Sequence, residues 1–174
     1  MIFWITGITA SGKTTLGKKL ESYLNKNNFS NVVRLDGDTL RAKKNWPTGY
    51  SIEKRFQMIK LTVEICKQKL KKNNIVIVST VSHKKFMREY ARSELKNFYE
   101  IYLDASPEIC ASRDYKGLYE KYKNKPDDIF PGVTDAYELS NNAELVIPTT
   151  KLNLNESTFM LNNFATKMLR NKSE

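Results

Sequence analysis

Gly7-Ile8-Thr9-Ala10-Ser11-Gly12-Lys13-Thr14 follows directly on the apolar run Ile2-Phe3-Trp4-Ile5. The spacing is that of a phosphate-binding loop between a strand and a helix. Two glycines let the chain curl with no Cβ in the way, so that backbone N–H groups converge on the α- and β-phosphates of a nucleotide. The positive N-terminal end of the following helix adds to that attraction. In this reading Lys13 reaches the β- and γ-phosphates and the Thr14 hydroxyl holds Mg²⁺. Gly7, Ser11, Gly12 and Thr15 complete the candidate nucleotide-binding set. A glycine turn that merely precedes a helix is the plain alternative. The strand before it and the amphipathic stretch after it (Leu16, Leu20, Tyr23, Leu24) favour the nucleotide.

Strand-like runs recur at Ile2-Thr6, Val32-Leu35, Ile75-Thr80, Tyr99-Leu103 and Leu145-Ile147. Helical patterns fall between them, at roughly 13–27, 52–72, 84–96, 106–122 and 155–170. This alternation predicts an α/β fold, a parallel five-stranded sheet with helices on both faces. Residues 41–51 and 123–143 lack periodicity and carry Pro47, Gly49, Pro126, Pro131 and Gly132, which predicts mobile loops around the mouth of the site. The chain of 174 residues is the length of one domain, and no repeat or linker divides 1–174.

The composition, 40% apolar and 28% charged, is that of a soluble globular protein. Its longest aliphatic stretch, Ile75-Val76-Ile77-Val78, is too short to cross a membrane. Met1 leads straight into a strand with no signal-peptide pattern, so the expected location is the cytoplasm. Cys66 and Cys110 both sit in helix-like apolar patterns and read as buried thiols. The formal charge of +10 is spread along the chain and no motif reads RNA or DNA. Small nucleotide substrates therefore suit it better than a specific nucleic-acid partner. The oligomeric state stays open, a homodimer included.

In an open parallel sheet, ligands sit beyond the carboxyl ends of the strands. Asp36-Gly37-Asp38 follows the second strand and Ser79-Thr80-Val81-Ser82 the third, which places both beside the phosphate loop. Two acids there can accept a proton from an attacking hydroxyl or hold water on the metal. They can equally be loop-forming or helix-capping residues around Gly37. Arg41 suits a phosphate or an acid of its own protein.

Four blocks in order resemble the adenylylsulfate (APS) kinase family. They are the phosphate loop, Leu35-Asp36-Gly37-Asp38 with Arg41, Arg113-Asp114-Tyr115-Lys116-Gly117-Leu118-Tyr119, and Phe130-Pro131-Gly132-Val133-Thr134-Asp135-Ala136-Tyr137-Glu138. The last two are the more specific. The resemblance implies a phosphate-loop kinase fold and transfer of the γ-phosphoryl group of ATP to the 3′-hydroxyl of a nucleotide. It places Asp36 and Asp38 near the hydroxyl and Mg²⁺, with Thr14 and Asp36 as the metal set. Arg41, Arg55 and Ser82 fall on the acceptor. Tyr50 and Phe130 stand where the family sandwiches the acceptor base, a role an aromatic face fills for any base. Lys13, Asp36, Asp38, Arg113 and Lys116 are the implied catalytic set, Arg113 and Lys116 belonging to the lid.

Departures from the family pattern cluster at the acceptor. Where an asparagine and two arginines are usual after the residue matched by Arg55, this chain has Met58, Lys60 and Leu61. The usual Ser-Pro reads Ser82-His83, and the proline after Tyr-Glu is Leu139. His83 itself reads as an exposed helix-start residue. Two acceptors follow from the resemblance: adenylyl sulfate, and cytidine diphosphoramidate, the acceptor of short members serving capsular polysaccharide biosynthesis. Outside the family, another phosphate-loop small-molecule kinase or a basic ATP-liganded nucleic-acid-binding protein are the rivals.

Overall fold

The computed structural model describes residues 1–42, 46–47, 49–72, 74–114, 116–125 and 128–171. Its elements are β1 (Ile2–Thr6), α1 (Lys13–Lys26), β2 (Val32–Asp36), α2 (Gly37–Arg41), α3 (Ile52–Leu70), β3 (Ile75–Ser79), α4 (Lys85–Glu94), β4 (Phe98–Asp104), α5 (Pro107–Ser112), α6 (Leu118–Lys123), β5 (Leu145–Pro148) and α7 (Leu154–Arg170). The five strands form one parallel sheet in the order β2-β3-β1-β4-β5. The expected class, a phosphate-loop kinase fold, is the one found.

β1 lies at the centre because every residue in it is apolar or small enough to be buried on both faces. Its alternation sorts the core. Ile2 and Trp4 face a layer with Val76, Val78, Ile59, Val63 and Met87, under α3 and α4. Phe3 and Ile5 face Ile77, Ile101, Leu16, Leu20 and Leu161, under α1 and α7. A third apolar cluster joins Ile8 and Cys110 to Tyr119, Tyr122 and Phe130, and it seats the lid helix α6 on the phosphate loop. Cys66 and Cys110 are buried free thiols, as their patterns predict.

Local signals set the helix starts. Ser51 caps α3 through Lys54 N, and Ser106 with Pro107 opens α5. Asn153 and Glu156 form a reciprocal capping box at α7. Two expectations change. The helix expected over 106–122 is two short helices, separated where Gly117 adopts a left-handed φ of 64°. The short α2 forms outside the expected helical segments, because the Asp36 carboxylate accepts from Asp38 N and Thr39 N, the helix-capping alternative for that residue. Of the expected loop 41–51, residues 43–45 and 48 lie outside the described set, as do 126 and 127 of the loop 123–143.

A buried ion pair ties the outer loops to the sheet. Arg88 of α4 and Glu100 of β4 are each 2% exposed and meet at 3.0 Å. The same guanidinium donates to Ser82 O at 2.7 Å and Glu138 O at 2.6 Å. Removing one partner strands the other charge in a low dielectric. Glu100→Ala is therefore expected to cost about 3–5 kcal/mol, read as a lower urea midpoint. A change within about 0.5 kcal/mol, the size of an ordinary surface substitution, would show the pair to be dispensable.

Candidate active site

The carboxyl ends of the strands border a cleft of about 570 Å³. Ser11, Gly12, Lys13, Thr14, Thr15, Asp36, Asp38, Arg41, Tyr50, Arg55, Met58, Ser82, Arg113, Lys116 and Phe130 all line it. Of the candidate nucleotide-binding, catalytic and acceptor residues, Gly7 alone lies outside the lining, and its part is to make the turn. A Cβ on Gly7 would stand 2.8 Å from both Leu103 O and Ser11 Oγ, and its φ is 148°. Gly12 has φ 100° and no side chain caps the N-terminus of α1 after it. The helix start is thereby left to a ligand. Ser11 Oγ is buried there with no hydrogen-bond partner among the described residues.

Lys13 donates to Ile8 O and so arches over its own loop. Loss of hydration pushes its ammonium down to about 8, against the opposing pull of Asp38 and Asp36. Thr14 Oγ1 donates to Asp36 Oδ2 at 2.6 Å. The other Asp36 oxygen caps α2, which is the helix-capping role the sequence offered for this residue. Asp38 is held differently. Its side chain is 72% exposed and meets Lys116 Nζ at 2.5 Å, so the lid closes onto the carboxylate. At that exposure the pair contributes no more than about 1 kcal/mol. A second lid contact is Tyr119 OH to Thr9 O at 2.9 Å, and Arg113 donates to Thr149 O at 3.0 Å.

At the other end of the cleft, Arg41 and Arg55 each stand 5.1 Å from the centre of the Tyr50 ring. Arg55 also donates to Tyr50 O and to Ile129 O, which locks the loop before α3 to the segment before Phe130. Burial and the Arg41 charge lower its pKa to about 10. Tyr50 and Phe130 do not clasp an open slot. Tyr122 stacks on Phe130 at 4.7 Å and 5°, and Tyr50 meets Tyr122 edge-on at 5.8 Å.

Two further residues escaped the sequence reading. Tyr122 carries no motif signal beyond its place after Lys-Gly-Leu-Tyr. His83, expected at an exposed helix start, is fully buried and lines the cleft. The reason lies one residue earlier. Ser82 takes a left-handed φ of 34°, held by Trp4 Nε1 on its Oγ, by Thr6 Oγ1 and by Arg88 on its carbonyl. That turn sends His83 inward, and α4 begins only at Lys85. Tyr137 and Glu138 act in the same framework. Tyr137 stacks on Tyr102 and bonds Thr6 Oγ1, while Glu138 accepts from Lys85 N.

A phosphate loop behind the central strand of such a sheet, with carboxylates and cations converging on it, defines a phosphate-loop phosphotransferase. The family model for adenylylsulphate kinase matches residues 1–148. An adenylyl-sulfate kinase of Clostridium kluyveri is 37% identical over 150 residues, 86% of this chain and 75% of that protein. A probable adenylyl-sulfate kinase of Archaeoglobus fulgidus is 37% identical over 86% of this chain and 96% of its own. The APS kinase CysC of Mycobacterium tuberculosis, solved with AMPPNP and APS, superposes with a TM-score of 0.84 at 25% identity, covering 97% of this chain and 96% of that one. The chain belongs to the adenylylsulfate kinase family. It is a kinase with a hydroxyl group as acceptor. Among the described residues no helix is long and apolar enough to cross a membrane.

The lowered pKa of Lys13 has a measurable effect on stability. The folded, unliganded protein holds this proton less tightly than the unfolded chain does, so the cost of burying the charge is full below about 8. It fades as the pH rises toward the ordinary lysine value of 10.5. Lys13→Met is expected to raise the urea midpoint at pH 7, with a gain that shrinks between pH 8 and 10.5. A pH-independent difference would mean that the ammonium stays hydrated.

Proposed function

We propose that the chain transfers the γ-phosphoryl group of ATP to the 3′-hydroxyl of a small nucleotide anhydride. The observation that carries this reading is the meeting of Lys13, the Thr14–Asp36 pair and the Asp38–Lys116 pair in the middle of one cleft. Its two ends are walled by elements from opposite sides of β1. Arg113, Thr149 and Asn153 follow β4 and β5, and this end receives the donor nucleotide. Tyr50, Arg55, Met58 and Ser82 follow β2 and β3, and this end receives the acceptor.

Thr14 Oγ1 and Asp36 Oδ2 would hold Mg²⁺, since adjacent hard oxygens fit a small cation that otherwise keeps water and phosphate ligands. When bound, the ion neutralises charge on the donor phosphates. Asp36 is already committed to that hydroxyl and to two backbone N–H groups. Asp38, exposed and tied to the lid by Lys116, is the carboxylate that takes the acceptor proton. The 3′-oxygen forms its bond to the γ-phosphorus as the bond to the β-phosphate oxygen breaks, ADP leaves with the electron pair, and the proton passes to Asp38. Lys13, Arg113 and Lys116 face the charge on the moving group. The rate comes from positioning and charge stabilisation.

The likeness to adenylyl-sulfate kinases supports adenylyl sulfate as acceptor. The structure offers an observation in favour of cytidine diphosphoramidate. Met58 is 5% exposed in the acceptor wall, a thioether that forms at most weak hydrogen bonds, and the Tyr122 ring lies against Phe130 where a base would stack. A base that stacks on Phe130 takes the place of Tyr122, and a single pyrimidine ring needs the smaller displacement. ADP release with Mg-ATP, measured separately on the two compounds with the new phosphate mapped, tests both. We expect turnover of one of them with phosphate on the 3′-oxygen. Turnover of neither overturns the reading. Lys13→Met is expected to lower kcat by about 10²–10³, the usual effect of losing one preorganised charge contact. Met58→Asn is expected to shift the ratio of the two rates toward adenylyl sulfate, and an unchanged ratio removes Met58 from acceptor choice.

A further inference from the structure

His83 is the single histidine of the chain, and it lines the cleft beside Ser82 and Met58. Its Nε2 lies 2.9 Å from Asp135 Oδ2. The other Asp135 oxygen accepts from Lys84 Nζ at 2.8 Å, which keeps the carboxylate ionised and oriented. A carboxylate only accepts, so Nε2 carries the proton and Nδ1 presents a lone pair. Burial, helped by the Arg55 charge, pushes the imidazolium pKa down to about 4, and the ring is neutral near pH 7. Nδ1 is buried and has no hydrogen-bond partner among the described residues. Groups of this kind are rare in folded proteins, because leaving one unpaired costs about 1–3 kcal/mol.

The chemistry of Nδ1 selects its partner. Phosphate, sulfate and anhydride oxygens are acceptors at neutral pH and would repel the lone pair. The donors on the two acceptors considered are the ribose hydroxyls, the exocyclic amine of adenine or cytosine and, in cytidine diphosphoramidate, the phosphoramidate N–H groups, which lie at the anhydride end with the phosphates. The 3′-hydroxyl has to face Asp38 and the phosphate loop. His83 stands instead near Arg55, whose guanidinium lies over the Tyr50 ring at the aromatic end of the cleft. We propose that His83 Nδ1 accepts a hydrogen bond from the exocyclic amino group of the acceptor base, with Asp135 as the positioning residue that fixes the tautomer. The contact needs the base to reach Nδ1, which is buried. This inference rests on the acceptor-nucleotide reading given above. It adds the requirement that the acceptor base carry an amine.

The solitary histidine makes the test direct. In protein labelled with ¹⁵N-histidine, two ring resonances report Nδ1 and Nε2 without ambiguity. Saturation with AMP or CMP is expected to move the unprotonated Nδ1 resonance upfield. IMP or UMP, which carry a carbonyl at that place, should leave it unmoved. In turnover, the wild-type protein should prefer amino over keto acceptors by about tenfold or more in kcat/KM. The pairs are adenylyl against inosinyl sulfate, and cytidine against uridine diphosphoramidate. His83→Phe should bring that ratio close to one. Asp135→Asn should lower it by freeing the tautomer, and His83→Asn, which keeps an oxygen acceptor near the Nδ1 position, should restore part of it. An unshifted Nδ1 resonance with bound AMP and CMP overturns the proposal. So does an amino-to-keto ratio that survives in His83→Phe, or a response to 2′-deoxy acceptors in place of keto ones. If no acceptor is turned over but the resonance shifts with AMP or CMP alone, the proposed reaction fails and the base contact stands.

Discussion

The carbonyl oxygen of Leu103 lies 2.8 Å from where a Cβ on Gly7 would stand. That close approach of β4 to the end of β1 sets the phosphate loop. With no side chain at residue 7, the loop folds back over the sheet edge, Ser11 is buried beneath it, and α1 starts at Lys13 with its N–H groups aimed into the cleft. Any larger residue would lift the loop away from β4 and move Lys13 and Thr14 with it. Thr14 in turn fixes the free oxygen of Asp36, whose other oxygen nucleates α2. A steric constraint at one glycine thus passes, by two hydrogen-bonded steps, to the carboxylates of the second strand.

The proposed acceptor end depends on a different constraint, the buried Arg88–Glu100 pair. Its guanidinium holds Ser82 O and Glu138 O, two loops 56 residues apart by number, 138 minus 82. Burying such a pair gives little net stability compared with apolar packing. Its effect here is geometric. It stabilises the unusual turn at Ser82, turns His83 inward, and brings Asp135 within reach of the imidazole. Tyr137 fills the angle between them by packing under Arg88 and against Tyr102.

These two constraints account for what the sequence disclosed. The five strands and the four longer helices α1, α3, α4 and α7 follow from hydrophobic period, because each buries a face of its own. The phosphate loop follows from local spacing, since its ligand contacts come from neighbouring residues. The broken helix at Gly117 and the short α2 turn on single backbone conformations and one carboxylate, which periodicity averages away. His83 was misplaced for a related reason. Its neighbours in sequence are polar and begin a helix, whereas its burial is imposed by Arg88, Trp4 and Asp135 from other elements. Tyr122 is set by stacking with a residue eight positions further on, 130 minus 122, across a loop with no regular pattern.

The same division bears on how a kinase of this family changes its acceptor. Donor-side groups are backbone N–H groups and one lysine, so nearly every substitution in the loop alters its curvature or removes a charge. The proposed acceptor wall is made of side chains held by long-range contacts, such as Met58 on α3 and His83 after β3, with Tyr122 on α6 stacked behind it on Phe130. Each can be exchanged without disturbing the glycine turn that positions the γ-phosphate. Specificity can therefore shift residue by residue while the transfer geometry stays in place, provided each new buried polar group finds a partner on the ligand. In the proposed contact His83 Nδ1 is such a group, since it has no partner among the described residues.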